Sequence, residues 1–324
     1  MLINGINVRN RAALAVGAIA AAATVGTAIM PASAQDAIVQ VDGSSTVFPI
    51  TEAMAEEFQA DNPGTAVVVG VSGTGGGFKK FCAGETDISG ASRPIKDSER
   101  ELCADAGIEF IEVPVAYDAL TVVINDENDW ATTMTTDQLR TMWEAGAEDE
   151  ITNWNQVDPS FPDVDLALYA PGTDSGTFDY FNEVILESDG GEELGHRGDY
   201  TASEDDNILV LGVQGATGGI AYFGLAYYLE NQDTLTAVGI DNANPDDGEG
   251  AVFPSDSTVE NGTYVPLSRP IFIYVRRDSL DKPEVANFVE FYLNEENRPL
   301  ISEVGYVPLP DADYEEGAAS VGLN

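Results

Sequence analysis

The chain has 324 residues, with 14 Lys and Arg against 56 Asp and Glu and a formal charge of −42 at pH 7. Such a field repels nucleic acid and anionic membrane surfaces, which excludes a nucleic-acid binder and a basic membrane-surface protein. Hydrophobic residues at 44% and aromatics at 9% supply a core, so the chain is no disordered polyanion, and its length suits one large domain or two lobes.

Arg9 and Arg11 form a short basic start, Ala12 to Met30 is apolar, and Ala32-Ser33-Ala34 reads as a small-residue cleavage site before Gln35. The expectation is a signal peptide over 1–34, removed on export to the periplasm or cell envelope. A transmembrane anchor is the competing reading. The stretch is about long enough to span, but it is mostly Ala with Gly17, Thr24, Gly26 and Thr27 and is therefore weakly hydrophobic. Asn10 splits the arginine pair, against a twin-arginine route, and no Cys follows the cleavage site to carry a lipid. In an exported chain, Cys82 and Cys103 are most simply one disulfide, contributing roughly 3 kcal/mol for a loop of about 20 residues. With the single His196 they make no ordinary zinc site, although carboxylates remain able to hold a hard cation. No metal site or cofactor is expected.

Val-, Ile- and Leu-rich runs predict strands and 3.6-residue periodicity predicts helices. In chain order the expectation is a strand at Ala37–Val41, a helix at Ile50–Gln59, a strand at Ala66–Val71 and helices at Gly77–Ala83 and Asp97–Ala106. Strands follow at Phe110–Val113 and Leu120–Asn125, then a helix at Thr136–Trp143 and a strand at Leu166–Tyr169. Helices at Thr177–Leu186, Asp206–Gln214 and Glu284–Asn294 complete an α/β alternation. Two extended, Pro-bearing segments, Val113 to Thr121 and Pro266 to Val275, are either lobe crossings or ordinary buried strands. As crossings they divide the chain into lobe I, 35–117 plus 270–324, and lobe II, 118–269, with a ligand in the cleft between them.

Three segments share one design. Asp42-Gly-Ser-Ser-Thr-Val-Phe-Pro49 runs from a strand into a helix, with Pro49 near the first turn where Pro is tolerated. Val71-Ser-Gly-Thr-Gly-Gly-Gly-Phe-Lys79 and Pro171-Gly-Thr-Asp-Ser-Gly-Thr-Phe-Asp-Tyr180 also lead into helices. Each sets hydroxyls and unpaired backbone N–H groups at the positive end of a helix dipole, which is the chemistry of an anion site. Taken singly, each is equally a helix cap and turn of the kind Ser, Thr and Gly favour. Arg93, in the small-residue run Asp87-Ile-Ser-Gly-Ala-Ser-Arg-Pro-Ile95, is either a guanidinium for a phosphate-like group or a salt-bridge partner in an acidic protein.

With these motifs in view, the chain resembles the substrate-binding proteins of bacterial ABC-type phosphate importers, in particular a subgroup typical of cyanobacteria and other aquatic bacteria. The run Val41-Asp-Gly-Ser-Ser-Thr-Val-Phe-Pro-Ile50 resembles the first phosphate loop of that family, Gly73-Thr-Gly-Gly-Gly77 the second and Ser175-Gly-Thr177 the third. The likeness extends through Gly90 to Ile95, Asn153-Trp-Asn155, Arg197-Gly-Asp-Tyr200 and Leu267-Ser-Arg-Pro270, nearly the whole mature chain. It implies an α/β, two-lobed periplasmic-binding-protein fold of type II with two crossing strands. It also implies high-affinity binding of inorganic phosphate in the interlobe cleft and delivery to a membrane permease by a monomer that is not an enzyme.

By position, the phosphate donors implied are Ser45, Thr46 and the Val47 N–H, with Phe48 nearby, then Thr74 and Gly75, then Ser175, Gly176 and Thr177. Two departures stand out. The best-known members carry an Asp, as acceptor for the phosphate proton, where this chain has Arg93. They also carry an Arg four residues before the Ser-Gly-Thr serine, where this chain has Pro171. Arg93 is therefore expected to be the positive partner, with Asp174 as a displaced acceptor and Arg197 as a second cation.

Other oxyanions, sulfate, arsenate or molybdate, are the alternative within the binding class. An exported phosphatase is the alternative outside it. Asp174-Ser-Gly-Thr177 matches an aspartic-protease signature, but such enzymes need two aspartates and no second copy is present. A serine hydrolase would have to use His196 and a G-x-S-x-G elbow, which is missing. The negative surface does not oppose a small anion in a closed cleft, because exposed charge is screened over about 8 Å at physiological salt. Such a surface suits saline surroundings.

Overall fold

The computed structural model describes residues 37–173, 175–187, 194–246 and 250–322. The predicted signal peptide and Asp174 lie outside the described residues, among which no helix is long and apolar enough to cross a membrane.

In chain order the elements are β1 (Ala37–Gly43), α1 (Phe48–Asp61), β2 (Thr65–Val71), α2 (Gly73–Cys82), β3 (Ile88–Ala91), α3 (Asp97–Asp105) and β4 (Phe110–Asn125). Next come β5 (Thr133–Thr135), α4 (Thr136–Trp143), α5 (Trp154–Val157), β6 (Ala167–Ala170), α6 (Gly176–Ile185), β7 (Thr201–Ala202), α7 (Asp206–Gln214), β8 (Gly219–Gly224) and α8 (Leu225–Asn231). The remainder is β9 (Leu235–Ala237), β10 (Gly239–Asp241), α9 (Asp256–Glu260), β11 (Ser268–Arg276), α10 (Pro283–Leu293), α11 (Pro299–Glu303) and α12 (Asp311–Ser320).

Among the described residues one mixed sheet runs β2-β1-β3-β11-β4-β8-β6-β7, with β9 also paired to β4. β4 is the spine. Its first part pairs antiparallel with β11 through Phe110 to Ala119, and its last part pairs with β8 and β9 through Leu120 to Asn125. The two short strands expected from the apolar runs are thus one strand of 16 residues. Pro114, within this strand, has no N–H to offer, and the ladder slips opposite it between Ile271 and Phe272. Pro270 is accommodated differently. Both backbone groups of Tyr117, its partner in the register, turn to Val307, so no N–H is asked of the proline.

Separate cores cover the two halves of this sheet. Val39, Ile50, Phe58, Val113, Ile273 and Phe288 belong to one, and Leu120, Trp143, Trp154, Phe181 and Tyr222 to the other. In the first, α1 buries Ile50, Met54 and Phe58 on one stripe, and Phe58 meets Phe288 and Phe291 edge-on at 5.3 and 5.4 Å. Burying a ring of this kind contributes about 1.5–3 kcal/mol.

α2 differs from expectation, since the glycine run forms its first turn rather than a loop before it. A Cβ on Gly77 would lie 2.6 Å from the Gly43 Cα, so only glycine lets this helix press so close to β1. Its far end carries Cys82, disulfide-bonded to Cys103 of α3 in a buried cluster with Phe78, Phe81 and Tyr274. The bond closes a separation of 21 residues, so the double variant Cys82→Ser/Cys103→Ser is expected to lose about 3 kcal/mol in urea unfolding. An unchanged midpoint would show that packing alone holds α2 to α3.

Candidate functional site

Three parallel strands, β2, β1 and β3, end side by side, with Gly43 registered against Val71 and Gly90. Loops leaving the carboxyl ends of such strands line the usual ligand crevice of an open α/β sheet. At Gly43, φ is +149°, and a Cβ would fall 2.2 Å from the Gly90 carbonyl oxygen, so this tight exit requires glycine.

The first loop is organised by Ser44, whose N–H bonds the Gly90 carbonyl at 3.0 Å and whose Oγ accepts the Thr46 N–H at 3.1 Å. Its carbonyl accepts the N–H groups of Val47 and Phe48 at 3.2 and 3.1 Å. The Val47 N–H, expected as a ligand donor, is therefore engaged within the turn, and the Val47 side chain is buried. Ser45 faces the cleft, and its hydroxyl donates to Asp179 Oδ2 of α6 at 3.1 Å. Thr46 is buried beneath, its carbonyl accepting the Tyr306 hydroxyl at 2.6 Å. Phe48 stands at the start of α1 on the wall of the same crevice.

The second loop is tied down at Asp42, which accepts from the Ser72 hydroxyl and from Lys80 Nζ, the latter at 2.6 Å. Thr74 Oγ1 lies 3.0 Å from the Ser92 hydroxyl and accepts the Ser92 N–H at 3.2 Å. This joins the α2 start to the segment bearing Arg93. A Cβ on Gly75 would sit 4.0 Å from Arg93 Nη2 and 3.8 Å from Glu99 Oε1. Arg93, with a quarter of its side chain exposed, donates through Nη1 and Nη2 to the two carboxylate oxygens of Glu99, each at 2.8 Å. The Glu99 hydrogen bonds raise the Arg93 pKa above its usual value. Burial by itself would raise Glu99, but the Arg93 guanidinium and the Lys96 N–H outweigh it and hold the carboxyl below its usual range.

The third loop enters from the other half of the sheet, after β6. Ser175 caps α6, its Oγ accepting the Thr177 N–H at 3.2 Å. A Cβ on Gly176 would be 2.9 Å from the Thr46 Cα and 3.3 Å from its N and Oγ1, so the first and third loops touch across the crevice. Beside this contact lies a space of about 390 Å³, lined among others by Ser45, Phe48, Ser175, Thr177, Asp206 and Tyr306. Burial, followed by the neighbouring Asp205 and Glu204, pushes the Asp206 carboxyl up to about 7.

Arg197 is placed elsewhere. Its side chain is 2% exposed and donates to Asp199 and to the carbonyls of Met142 and Ile151, so it anchors the half built around Trp143 instead of offering a second cation to the crevice. His196 has both ring nitrogens engaged, by the Arg197 carbonyl at 2.7 Å and the Tyr222 hydroxyl at 3.0 Å, leaving none to activate a serine. Among the described residues no group of three or more His, Cys, Asp or Glu is arranged to hold a metal ion.

Sequence reasoning missed Glu99, Asp179, Tyr306 and Arg269. Arg269 of β11 donates to Asp118 of β4 at 3.3 Å and to Glu183 of α6 at 2.7 Å, and lies 3.7 Å over the Tyr180 ring. It thus ties the helix behind the third loop to the paired strands β4 and β11. Burial pushes the Asp118 carboxyl up to about 6 against the pull of Arg269. The motif Leu267-Ser-Arg-Pro270 was the available signal for Arg269; nothing local pointed to the other three.

The pattern of a known family, described as a PBP superfamily domain, matches residues 20–296. The chain belongs to the PBP superfamily. Protein SphX of Synechococcus elongatus is 55% identical over 296 residues, covering 91% of this chain and 85% of that protein. The phosphate-binding protein PstS of Staphylococcus saprophyticus is 37% identical over 281 residues, 86% of this chain and 82% of its own. Among solved structures, a possible phosphate binding protein from Planctomyces limnophilus matches with a TM-score of 0.82 at 43% identity, covering 88% of this chain and 98% of that one. These relatives bear out the resemblance read from the motifs, including the type II α/β fold. The staphylococcal and planctomycete proteins are named as binding proteins, in keeping with the expectation that the chain is no enzyme.

Proposed function

We propose that the chain binds inorganic phosphate in the crevice between the two halves of the sheet and delivers it to the permease of an ABC importer. The observation that supports this reading is the meeting of the first and third loops beside a crevice lined by Ser45, Ser175 and Thr177, with the ten-residue helix α6 starting there and the α2 start, next to Arg93, leaving the end of the adjoining strand β2. Helix N-termini, hydroxyls and a guanidinium are complementary to a small tetrahedral oxyanion. The names of the staphylococcal and planctomycete relatives support phosphate as that anion.

In this reading 35–117 plus 270–324 form lobe I and 118–269 form lobe II, closing on the ligand about the strands β4 and β11. The protein works as a monomer outside the cytoplasm, after removal of residues 1–34. Carboxylates close to the crevice, Asp179 and Asp206 among them, bear on selectivity. Phosphate near neutral pH carries a proton that a carboxylate accepts, whereas fully ionised sulfate leaves the acceptor unpaired and repelled. Calorimetry with both anions at fixed salt is expected to give phosphate an affinity at least about ten-fold above sulfate, roughly 1.4 kcal/mol. Tight sulfate binding without phosphate binding would overturn the assignment.

A further inference from the structure

A guanidinium has five N–H groups in a rigid plane, arranged as an end-on fork through Nη1 and Nη2 and a side-on fork through Nε and Nη2. Here the end-on fork is filled by Glu99, at 2.8 Å to each oxygen, and the second Nη1 proton goes to the Pro94 carbonyl at 3.1 Å. Among the described residues the Nε proton meets no acceptor, and the outer Nη2 proton beside it is free as well. The Nη2 end of the guanidinium is the one nearest Gly75, in the first turn of α2.

Glu99 itself is fixed. It sits in the first turn of α3, where Oε2 also accepts the Lys96 N–H at 2.9 Å, and about 14% of its side chain is exposed. Its carboxylate is therefore held by its own helix while it holds the arginine. Phe78 of α2 supports the other side, its ring centroid 5.9 Å from the guanidinium carbon.

We infer that Glu99 is a positioning residue for anion binding: by filling the end-on fork of Arg93 it locks the plane so that the side-on Nε and Nη2 pair is presented toward the α2 start for bidentate contact with the oxyanion. The inference rests on the phosphate-binding reading above. A second possibility follows from the same contact, because the carboxylate also lies near the start of α2. A competing acid there would act as an internal anion that phosphate must displace. The two roles have opposite signs. The shared bond to Lys96 favours positioning, since a carboxylate anchored on its own helix has no reason to leave when the ligand arrives.

The test is a double-mutant cycle with Glu99→Gln and Arg93→Ala, read by calorimetric titration of inorganic phosphate and by thermal unfolding. Gln keeps one oxygen for the Lys96 N–H but sets an amide N–H₂ against Nη2, so the fork is broken while the α3 start is preserved. The expected result is a melting temperature for Glu99→Gln close to that of the wild type, together with an affinity about ten-fold weaker. In the Arg93→Ala background the same substitution is expected to cost nothing further. Equal or tighter binding by Glu99→Gln would overturn positioning, the tighter result in favour of competition. An undiminished loss in the Arg93→Ala background would also overturn it, assigning Glu99 a merely structural role. Unchanged binding by Arg93→Ala alone would overturn the inference while leaving the phosphate reading in place, whereas no phosphate binding by the wild type would refute that reading itself.

Discussion

Replacing Arg93 with alanine is expected to weaken phosphate binding on the order of a hundred-fold, about 2.7 kcal/mol. Charge-assisted hydrogen bonds to an anion contribute about 1.5–3 kcal/mol each, and the free side-on fork can make two. The substitution also leaves the Glu99 carboxylate without its cation next to the α2 start, where it would repel the ligand. Arg93→Lys keeps the charge but not the fork and is expected to fall between the two. Calorimetry of the three proteins checks this order. Unchanged affinity in Arg93→Ala would move the positive partner to Arg269, which lies behind the third loop, and not to Arg197, whose donors are consumed in its own half.

The second large effect is expected at Gly176. Its backbone is not in the left-handed region, so alanine fits the local conformation and, at a helix start, adds little strain. Against that, the new Cβ would lie 2.9 Å from the Thr46 Cα, tighter than real contacts permit, and that atom is backbone and cannot swing aside. The first and third loops must separate for it to fit. Gly176→Ala is therefore expected to bind phosphate at least ten-fold more weakly, about 1.4 kcal/mol, while unfolding without phosphate at the wild-type temperature or slightly above. Calorimetry and thermal unfolding separate the two outcomes. Loss of stability together with loss of affinity would show that the contact supports the fold and not only the closed crevice.

Local elements were legible where the cap is local. α4 begins at the predicted Thr136 because Thr135 and Gln138 exchange hydrogen bonds of 3.1 and 2.8 Å across its first turn. α7 begins at the predicted Asp206 because Asp205 accepts the Asn207 N–H at 3.0 Å. The three hydroxyl- and glycine-rich segments were likewise visible, since each leads into the helix that exposes its N–H groups. The strand β4 was not legible as one piece, because Pro114 and Asp118 break the apolar pattern. Only pairing with β11 supplies the slipped register and the Arg269 partner that make them acceptable.

Ion-pair choice was invisible for a different reason. With 56 acids in the chain, no spacing rule selects Glu99 for Arg93, Asp199 for Arg197 or Asp118 for Arg269. Two of these pairs are close in sequence and one is 151 residues apart, yet all three are decided by which acid the folded backbone places in reach. The sequence by itself determined the acidic surface, the local helix starts, the glycines that allow close approach and the three loops suited to an anion. Those properties depend on residue type and on neighbours within a turn. Tertiary structure alone decided that β2, β1 and β3 end together, that Gly176 meets Thr46 and that Arg93 lies beside the α2 start while Arg197 is buried in the other half. Each of these is a contact between distant segments, and its free energy exists only once the chain entropy of bringing them together has been overcome.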